Sequence, residues 1–337
     1  MNKIVIDWKE YFDNTCKGED MWGHYKTPNG SIYVVVDGAS NHDGAKTGED
    51  VIRLVHEMLR QESKNLHRSN DLRDLIHSIN AESTKVNEGA YAAIAGILSR
   101  ENNLYAFGAG DVSIIAKKVN EQLIQVLPLD LTMQEEEAEK RAKSEIGQTV
   151  NNIKITDENY TQRIKQYMNH GLSNAIGLGD GFILHDKYFD AKAGTAIVIA
   201  SDGVTDPFMN PQSEAGKILQ ADAEKLYEVF SSSRYAEEAV VALENMIWET
   251  RVSQKKKIKP DDRTALFLYL SYVEDMDKKN KSINSMSNKQ LVTELVKKIQ
   301  NHKMTSLDLE VTVSISDLET ITQIAKELSR KIGDIND

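Results

Sequence analysis

Four aspartates end or interrupt short apolar stretches of this chain, and glycine flanks most of them. They occur in the runs Val34-Val35-Val36-Asp37-Gly38, Phe107-Gly108-Ala109-Gly110-Asp111, Val198-Ile199-Ala200-Ser201-Asp202-Gly203 and Pro260-Asp261-Asp262-Arg263-Thr264. Short runs rich in Val, Ile and Ala are typical of buried strands, so each carboxylate is expected at the rim of a sheet. Carboxylates that converge on one rim repel each other unless cations lie between them. The pattern therefore indicates an acidic metal site.

The donors in these runs favour hard divalent cations. Magnesium and manganese prefer oxygen ligands, and the runs offer carboxylates and backbone carbonyls without a His or Cys cluster. Two such ions about 3.5–4 Å apart lower the pKa of a bridging water and neutralise phosphate charge. Hydrolysis of a phosphate monoester is among the slowest uncatalysed reactions in biology and benefits most from this combination.

Composition excludes several other classes of function. The chain has 337 residues, 40% of them hydrophobic, and a formal net charge of −11. A broad nucleic-acid-binding face would need the opposite sign of charge. Cys16 is the single cysteine, which rules out an internal disulfide. With no run of about 20 apolar residues and no signal-peptide pattern at its start, the chain is expected to be cytoplasmic, without a membrane partner.

Hydrophobic periodicity predicts a layered α+β domain. Two helix-rich layers are expected around mostly antiparallel strands. A charged stretch over 131–169 is interpreted as helix or loop. The predicted strands are 31–37, 92–98, 104–116, 122–127, 195–201 and 265–270, and the predicted helices are 44–60, 71–88 and 233–250.

The C-terminal part of the chain has a different character. We expect the main domain to span 1–273, a polar linker 274–287, and a small α/β appendage of helix, strand and helix 288–337. One strand between two helices leaves an unpaired edge, which needs a partner from the main sheet or from a second chain. The appendage is therefore predicted to serve regulation or assembly, through a regulatory partner or a homodimer.

The order of the acidic motifs resembles that of a known family. These motifs, together with Leu172-Ser173-Asn174-Ala175-Ile176-Gly177, resemble the metal-dependent serine/threonine protein phosphatases of the PPM family, type 2C, over roughly residues 10–272. In chain order the motifs are Glu19-Asp20, Asp37-Gly38, Gly110-Asp111, Ser201-Asp202-Gly203-Val204-Thr205-Asp206 and Asp261-Asp262-Arg263-Thr264.

The resemblance implies a role for each acid. Asp37 would bridge two Mn or Mg ions, with the Gly38 carbonyl as a further ligand, and Asp202 and Asp261 would bind one ion of the pair. Asp20, with Glu19 beside it, would hold the pair through waters. Asp111 would contribute to a weaker third metal site, assisted by Asp206. The resemblance also implies an α-β-β-α sandwich, in which antiparallel sheets are flanked by helices on both faces, in agreement with the layered α+β domain.

The chain departs from the family pattern at three positions. Thr15 stands where relatives place an arginine that grips the substrate phosphate, so Lys17 is the nearest candidate for substrate binding. Ala39 stands where some relatives have a histidine that acts as general acid, which leaves His42 as the candidate for that role. Val112 follows Gly110-Asp111 in place of the usual serine, a change that bears on the third metal site.

Three functions are compatible with these motifs. The leading interpretation is hydrolysis of phosphoserine and phosphothreonine in phosphorylated proteins by a metal-activated water, with Asp37, Asp202 and Asp261 as the catalytic metal ligands. The alternative is a non-catalytic, phosphatase-like regulatory or binding protein. A phosphatase for a small phosphorylated metabolite is the third. Asp180 and Asp262 are interpreted as turn or supporting residues and not as ligands.

Overall fold

The computed structural model describes most of the chain up to residue 272. The described residues are 4–39, 48–86, 89–100, 103–118, 123–150, 153–154, 156, 160–167, 172–190, 192–205, 229, 233, 235–254 and 261–272. The chain divides into two units, Met1–Ser271 and Tyr272–Asp337. The predicted linker and appendage lie outside the described residues, so both stay predictions.

Twelve strands and six helices are defined within the described ranges. The strands are β1 (Ile4–Asp13), β2 (Asp20–Thr27), β3 (Gly30–Ala39), β4 (Tyr91–Arg100), β5 (Asn103–Ala109), β6 (Ser113–Lys117), β7 (Leu123–Gln125), β8 (Thr149–Val150), β9 (Ile153–Lys154), β10 (His185–Asp190), β11 (Ala196–Ala200) and β12 (Arg263–Tyr272). The helices are α1 (Gly48–Glu62), α2 (Ser69–Val86), α3 (Asp130–Ser144), α4 (Tyr160–Tyr167), α5 (Asp202–Thr205) and α6 (Ala236–Gln254).

The strands form two five-stranded sheets and one short hairpin. Sheet A has the order β1-β12-β11-β6-β7, and sheet B has the order β10-β5-β4-β3-β2. The pairs β2–β3, β3–β4, β4–β5 and β5–β10 of sheet B are antiparallel, and so are β12–β11, β11–β6 and β6–β7 of sheet A. Strands β8 and β9 pair with each other.

Three apolar layers hold these sheets and helices together. Helices α1 and α2 cover the outer face of sheet B, the two sheets face each other across a second layer, and α6 covers the outer face of sheet A. Alternate residues of β3 contribute to two of these layers. Val34 and Val36 point to the helices, while Tyr33 and Val35 point to sheet A. The predicted α-β-β-α architecture is confirmed.

One predicted strand is wrong. The run 104–116 is not one strand but two, β5 in sheet B and β6 in sheet A. The chain changes sheets at Gly110, whose φ is +95°, and a Cβ there would lie 2.5 Å from the Cβ of Ala93. The apolar pattern continues across this break because β5 and β6 are both almost entirely buried, so hydrophobicity does not mark the crossing.

The other strands and helices predicted between residues 31 and 270 are confirmed with shifted ends. The helix predicted over 233–250 is α6, which begins at Ala236 and ends at Gln254, and the charged stretch 131–169 contains α3 and α4. Strands β1, β2 and β10 were not predicted. Their sequences mix charged, aromatic and aliphatic residues, and their side chains are largely half-buried, so they lack the continuous apolar run that marks β3 or β11. None of the helices in the described part of the chain is long and apolar enough to span a membrane.

The crossing at Gly110 generates a prediction about stability. Gly110→Ala should lower the free energy of unfolding by more than about 1 kcal/mol, because it combines an unfavourable positive φ with a collision against Ala93. Gly147→Ala is the matched control, since Gly147 also has a positive φ (+84°) but has no atom within 4 Å of an added Cβ. Urea unfolding measures both variants. Equal losses in the two would show that the contact with Ala93 contributes nothing.

Candidate metal centre

The centre is built around Asp37 at the end of β3. Asp37 lies directly opposite Asp20 of β2 and opposite Ala93 of β4 in the ladders of sheet B. Residues opposite each other in an antiparallel pair have Cβ atoms about 4.5–5.5 Å apart. Two carboxylates therefore meet at this end of the sheet.

Acids from three further segments act on the Asp37 carboxyl. Its pKa is raised well above the ordinary value, first by the loss of hydration on burial and then by the negative charges of Asp20, Asp202, Asp111 and Asp261. These four residues come from β2, from the start of α5, from the β5–β6 crossing and from the segment before β12. The structure thus brings one aspartate from each of the five motifs close enough to interact electrostatically with the others at Asp37.

Asp20 links the two sheets at the centre. It is 5% exposed, and burial raises its pKa to about 6, with the charges of Asp262 and Asp202 acting in the same direction. The Ser201 hydroxyl donates to Asp20 Oδ2 at 2.8 Å and partly offsets this rise. Ser201 Oγ also accepts the Thr264 N–H at 3.0 Å. One hydroxyl thus ties β2 of sheet B to the ends of β11 and β12 in sheet A.

Asp262 anchors the segment that carries Glu19 and Asp20. Its carboxylate, 2% exposed, accepts the backbone N–H groups of Cys16 at 2.8 Å, of Lys17 at 3.0 Å and of Glu19 at 3.0 Å. The three bonds, called here the Asp262 anchor, join the turn before β12 to the segment between β1 and β2. The sequence predicts a supporting role for Asp262. It does not predict this anchor, because the partners of Asp262 lie more than 240 residues away in sequence.

Backbone contacts connect the anchor to the other candidate ligands, Gly38 and Asp202. The Glu19 carbonyl accepts the Gly38 N–H at 2.8 Å, which fixes Glu19-Asp20 against Asp37-Gly38. Helix α5 begins at Asp202, and a side chain on the next residue, Gly203, would collide with the Asp262 carbonyl oxygen. Glycine at 203 therefore allows the Asp202 turn to lie directly against the Asp261-Asp262 turn.

Lys17 and Thr15 make contacts that their sequence positions did not predict. The Lys17 ammonium forms an ion pair with Asp261, with Nζ 2.9 Å from Oδ1. The Thr15 hydroxyl donates to Asp13 Oδ1 at 2.7 Å, and the other oxygen of Asp13 lies 3.4 Å from Arg263 Nη1. The PPM family pattern has a phosphate-binding arginine at this position. Here the position is Thr15, whose hydroxyl is hydrogen-bonded to the Asp13 carboxylate.

The other predicted residues are placed as follows. Asp111 lies just after the crossing at Gly110. Asp180 is exposed in a short turn, Gly179–Gly181, as a turn residue would be. His42 and Asp206 lie outside the described residues, so their roles stay predictions.

A second buried acid was missed by sequence analysis. Asp130, at the start of α3, is 1% exposed and accepts both the N–H and the hydroxyl of Ser173 at 2.6 Å. Ile176 then pairs with Ala92 of β4 through two backbone hydrogen bonds. Asp130 therefore positions the segment 172–177 beside the centre. Local sequence gives no signal for this contact, because Asp130 and Ser173 lie 43 positions apart.

The donor chemistry of the centre fits hard divalent cations. Carboxylates and the Gly38 carbonyl are oxygen ligands of the type that magnesium and manganese bind, and the mutual repulsion at Asp37 is what a cation would relieve. Within the described ranges, no three Asp, Glu, His or Cys side chains lie close enough to coordinate one ion in their present positions.

Known structures share this architecture. Stp1 from Staphylococcus aureus, a serine/threonine phosphatase, aligns over 79% of this chain and 95% of its own at 15% identity, with a TM-score of 0.55. The catalytic domain of the serine/threonine phosphatase PstP, solved with two manganese ions, aligns over 80% and 100% at 18% identity, with a TM-score of 0.53. PppA from Pseudomonas aeruginosa aligns over 80% and 100% at 18% identity, with a TM-score of 0.53.

The chain has the fold of the bacterial serine/threonine phosphatases. No protein-family model matches the chain, and neither does any curated protein sequence. At 15–18% identity the likeness establishes this phosphatase fold and not the reaction. The fold expected from the PPM resemblance is thus confirmed by structure.

The Asp262 anchor generates a prediction about the integrity of the centre. Asp262→Ala should lower the free energy of unfolding by about 2–4 kcal/mol, because it leaves three backbone N–H groups without their carboxylate. Asp262→Asn, which keeps one acceptor oxygen, should lose less. Asp180→Ala, in the exposed turn, is the control and should change little. Urea unfolding in the presence of chelator measures the free energy of unfolding of each variant. Equal values for Asp262→Ala and Asp180→Ala would count against a stabilising role of the anchor.

The raised pKa of Asp20 generates a prediction about pH. An acid whose folded pKa is about 6 takes up a proton on folding between its ordinary pKa, 3.8, and about 6. Stability of the metal-free protein should therefore fall as pH rises through this window.

Asp20→Asn tests the sign of this effect. The variant should be more stable than wild type in chelator at pH 8, by on the order of 2 kcal/mol, and the gain should vanish below pH 3.8, where both side chains are neutral. Urea unfolding at a series of pH values measures it. A variant less stable than wild type at pH 8 would contradict the assignment of repulsion to Asp20.

Proposed function

We propose that this chain is a manganese- or magnesium-dependent phosphatase that hydrolyses phosphoserine and phosphothreonine in proteins. The observation that supports it is the convergence of four aspartate charges on Asp37, in a fold shared with serine/threonine phosphatases. A protein gains nothing in stability from collecting buried like charges, so a cation-dependent function accounts for them best.

Each acid of the centre has a proposed part in holding two ions. Asp37 would bridge them, with the Gly38 carbonyl beside it, and Asp202 and Asp261 would complete the set, as in the PPM resemblance. Asp20 would act through water, and Asp111 would hold a weaker third ion. The ions, when bound, supply the positive charge that activates a water and neutralises the phosphate.

The surrounding residues keep these ligands in place. Ser201 holds one oxygen of Asp20 at 2.8 Å, so this carboxylate is oriented before any ion binds. The Asp262 anchor fixes the backbone just before Asp20 and just after Asp261. Such preorganisation reduces the reorganisation that accompanies ion binding and reaction.

The substrate-binding part of the centre differs from the family pattern. Thr15 donates to Asp13 and brings no positive charge, and Ala39 at the end of β3 has no group that could protonate a leaving alcohol. We expect phosphate binding to depend more heavily on the ions than in relatives that have an arginine at this position. The choice of a phosphoprotein substrate rests on the shared fold.

Hydrolysis of p-nitrophenyl phosphate by variants tests the proposed function. Asp37→Asn should reduce kcat by at least about 1000-fold while leaving the fold intact, because the ions lose their bridging ligand. Asp180→Asn, which removes an equal charge from the exposed turn, is the matched control and should keep wild-type turnover. Circular dichroism checks folding. Wild-type turnover by Asp37→Asn would refute the metal assignment.

Assays with phosphopeptides and sugar phosphates distinguish a protein phosphatase from a metabolite phosphatase and from a non-catalytic protein. Faster release of phosphate from phosphoserine and phosphothreonine peptides than from a matched phosphotyrosine peptide is the expected result. Turnover of sugar phosphates with none of the peptides would favour a metabolite phosphatase. Absence of turnover with every substrate and both ions, in a folded protein, would favour the non-catalytic alternative.

A further inference from the structure

Lys17 forms an ion pair with an acid that the proposed function needs as a metal ligand. Its Nζ lies 2.9 Å from Asp261 Oδ1, close enough for a charge-assisted hydrogen bond. We propose that Lys17 is a built-in counter-ion of Asp261, which a divalent ion must displace, and that it thereby lowers the affinity of the centre for metal. The inference rests on the proposed metal centre.

The backbone of Lys17 is fixed beside the acid. Its N–H donates to both oxygens of Asp262, at 3.0 and 3.2 Å, and Asp262 follows Asp261 directly in the chain. The backbone of Lys17 and the Asp261-Asp262 turn are thus held together by these bonds. The anchor places the backbone of Lys17 next to Asp261, so the ion pair forms between neighbouring segments.

The Lys17 and Asp261 side chains differ in exposure, which favours replacement of the lysine by a divalent ion. The Lys17 side chain is 46% exposed, whereas the Asp261 side chain is 12% exposed. Water therefore reaches much of the Lys17 side chain, whereas the Asp261 carboxylate is largely enclosed at the centre. An ion pair with one partner half in water is weak enough to be displaced.

Charge makes the two occupants of Asp261 exclusive. A magnesium or manganese ligand oxygen lies about 2.0–2.2 Å from the ion, so an ammonium on the same oxygen would be in the immediate surroundings of a dication. Like charges at that distance repel strongly. The lysine must leave Asp261, and the lost ion pair is subtracted from the binding free energy of the ion.

This role differs from the phosphate-binding role predicted for Lys17 from sequence. A lysine that only contacts the substrate changes KM for the phosphoester and leaves the metal affinity of the free protein unchanged. A lysine that occupies Asp261 changes the metal affinity in the absence of any substrate. The two roles are thus separated by measuring metal binding alone.

Calorimetric titration of Mn²⁺ into the metal-free full-length chain tests the proposal. Lys17→Met, which keeps the length of the side chain but not its charge, should lower Kd by about three- to tenfold relative to wild type. Lys26→Met is the matched control: it removes the same charge from the far end of β2, six residues along the strand from Asp20, and should leave Kd unchanged.

The possible outcomes separate this proposal from the proposed function. An unchanged Kd in Lys17→Met, with Mn²⁺ binding to wild type, overturns the counter-ion alone. An equal decrease in both variants also overturns it, because net charge would then be the cause. No binding to wild type or to Lys17→Met overturns both. Binding to Lys17→Met but not to wild type supports the counter-ion in its strongest form.

A direct measurement follows the lysine itself. Acetylation of surface amines, read out by mass spectrometry, should modify Lys17 faster when Mg²⁺ is present, since displacement releases its ammonium from Asp261. Lys26 in the same sample serves as the internal standard and should react at the same rate with and without Mg²⁺. A Lys17 rate that Mg²⁺ leaves unchanged contradicts displacement.

Discussion

Repulsion among carboxylates at the end of β3 is the constraint that organises this part of the protein. Asp37 is surrounded by the charges of four other aspartates, and Asp20 is buried directly opposite it. Burial of like charges opposes folding. The three apolar layers of the α-β-β-α sandwich must therefore supply the stability that this cluster removes, and they are assembled from nearly continuous apolar strands such as β4 and β11.

Polar contacts between the sheets determine where that repulsion is concentrated. Ser201 joins Asp20 of sheet B to Thr264 of sheet A, and the Asp262 anchor joins the turn before β12 to the segment before β2. These bonds use neutral hydroxyl and backbone donors. They position the acids without neutralising them, so the attraction for a divalent ion is preserved.

Much of this could be predicted from sequence, because the acids follow continuous apolar runs. Asp37 lies two residues before the end of β3 and Asp202 two residues after the end of β11, close to the strand ends predicted for them. The apolar runs 32–36 and 196–200 that precede them are buried throughout. Continuous burial also explains why the crossing at Gly110 was not predicted, because the apolar pattern continues from β5 in one sheet into β6 in the other. Periodicity reports burial and not sheet membership.

The contacts that complete the centre could not be predicted in this way. The Asp262 anchor and the Lys17–Asp261 ion pair join residues more than 240 positions apart, and no local pattern encodes such pairs. Strands β1 and β2, which carry this segment, have mixed polar sequences and half-buried faces. Their identity as strands follows from pairing with β12 and β3, which is a tertiary property.

The most direct test of this account is an anomalous diffraction measurement on crystals of the full chain grown with Mn²⁺. We expect two manganese peaks that share an oxygen of Asp37, with Asp202 and Asp261 as further ligands and with Lys17 turned away from Asp261. Manganese bound elsewhere, or absent from Asp37 at a saturating concentration, would contradict the central claim that these aspartates form a metal centre.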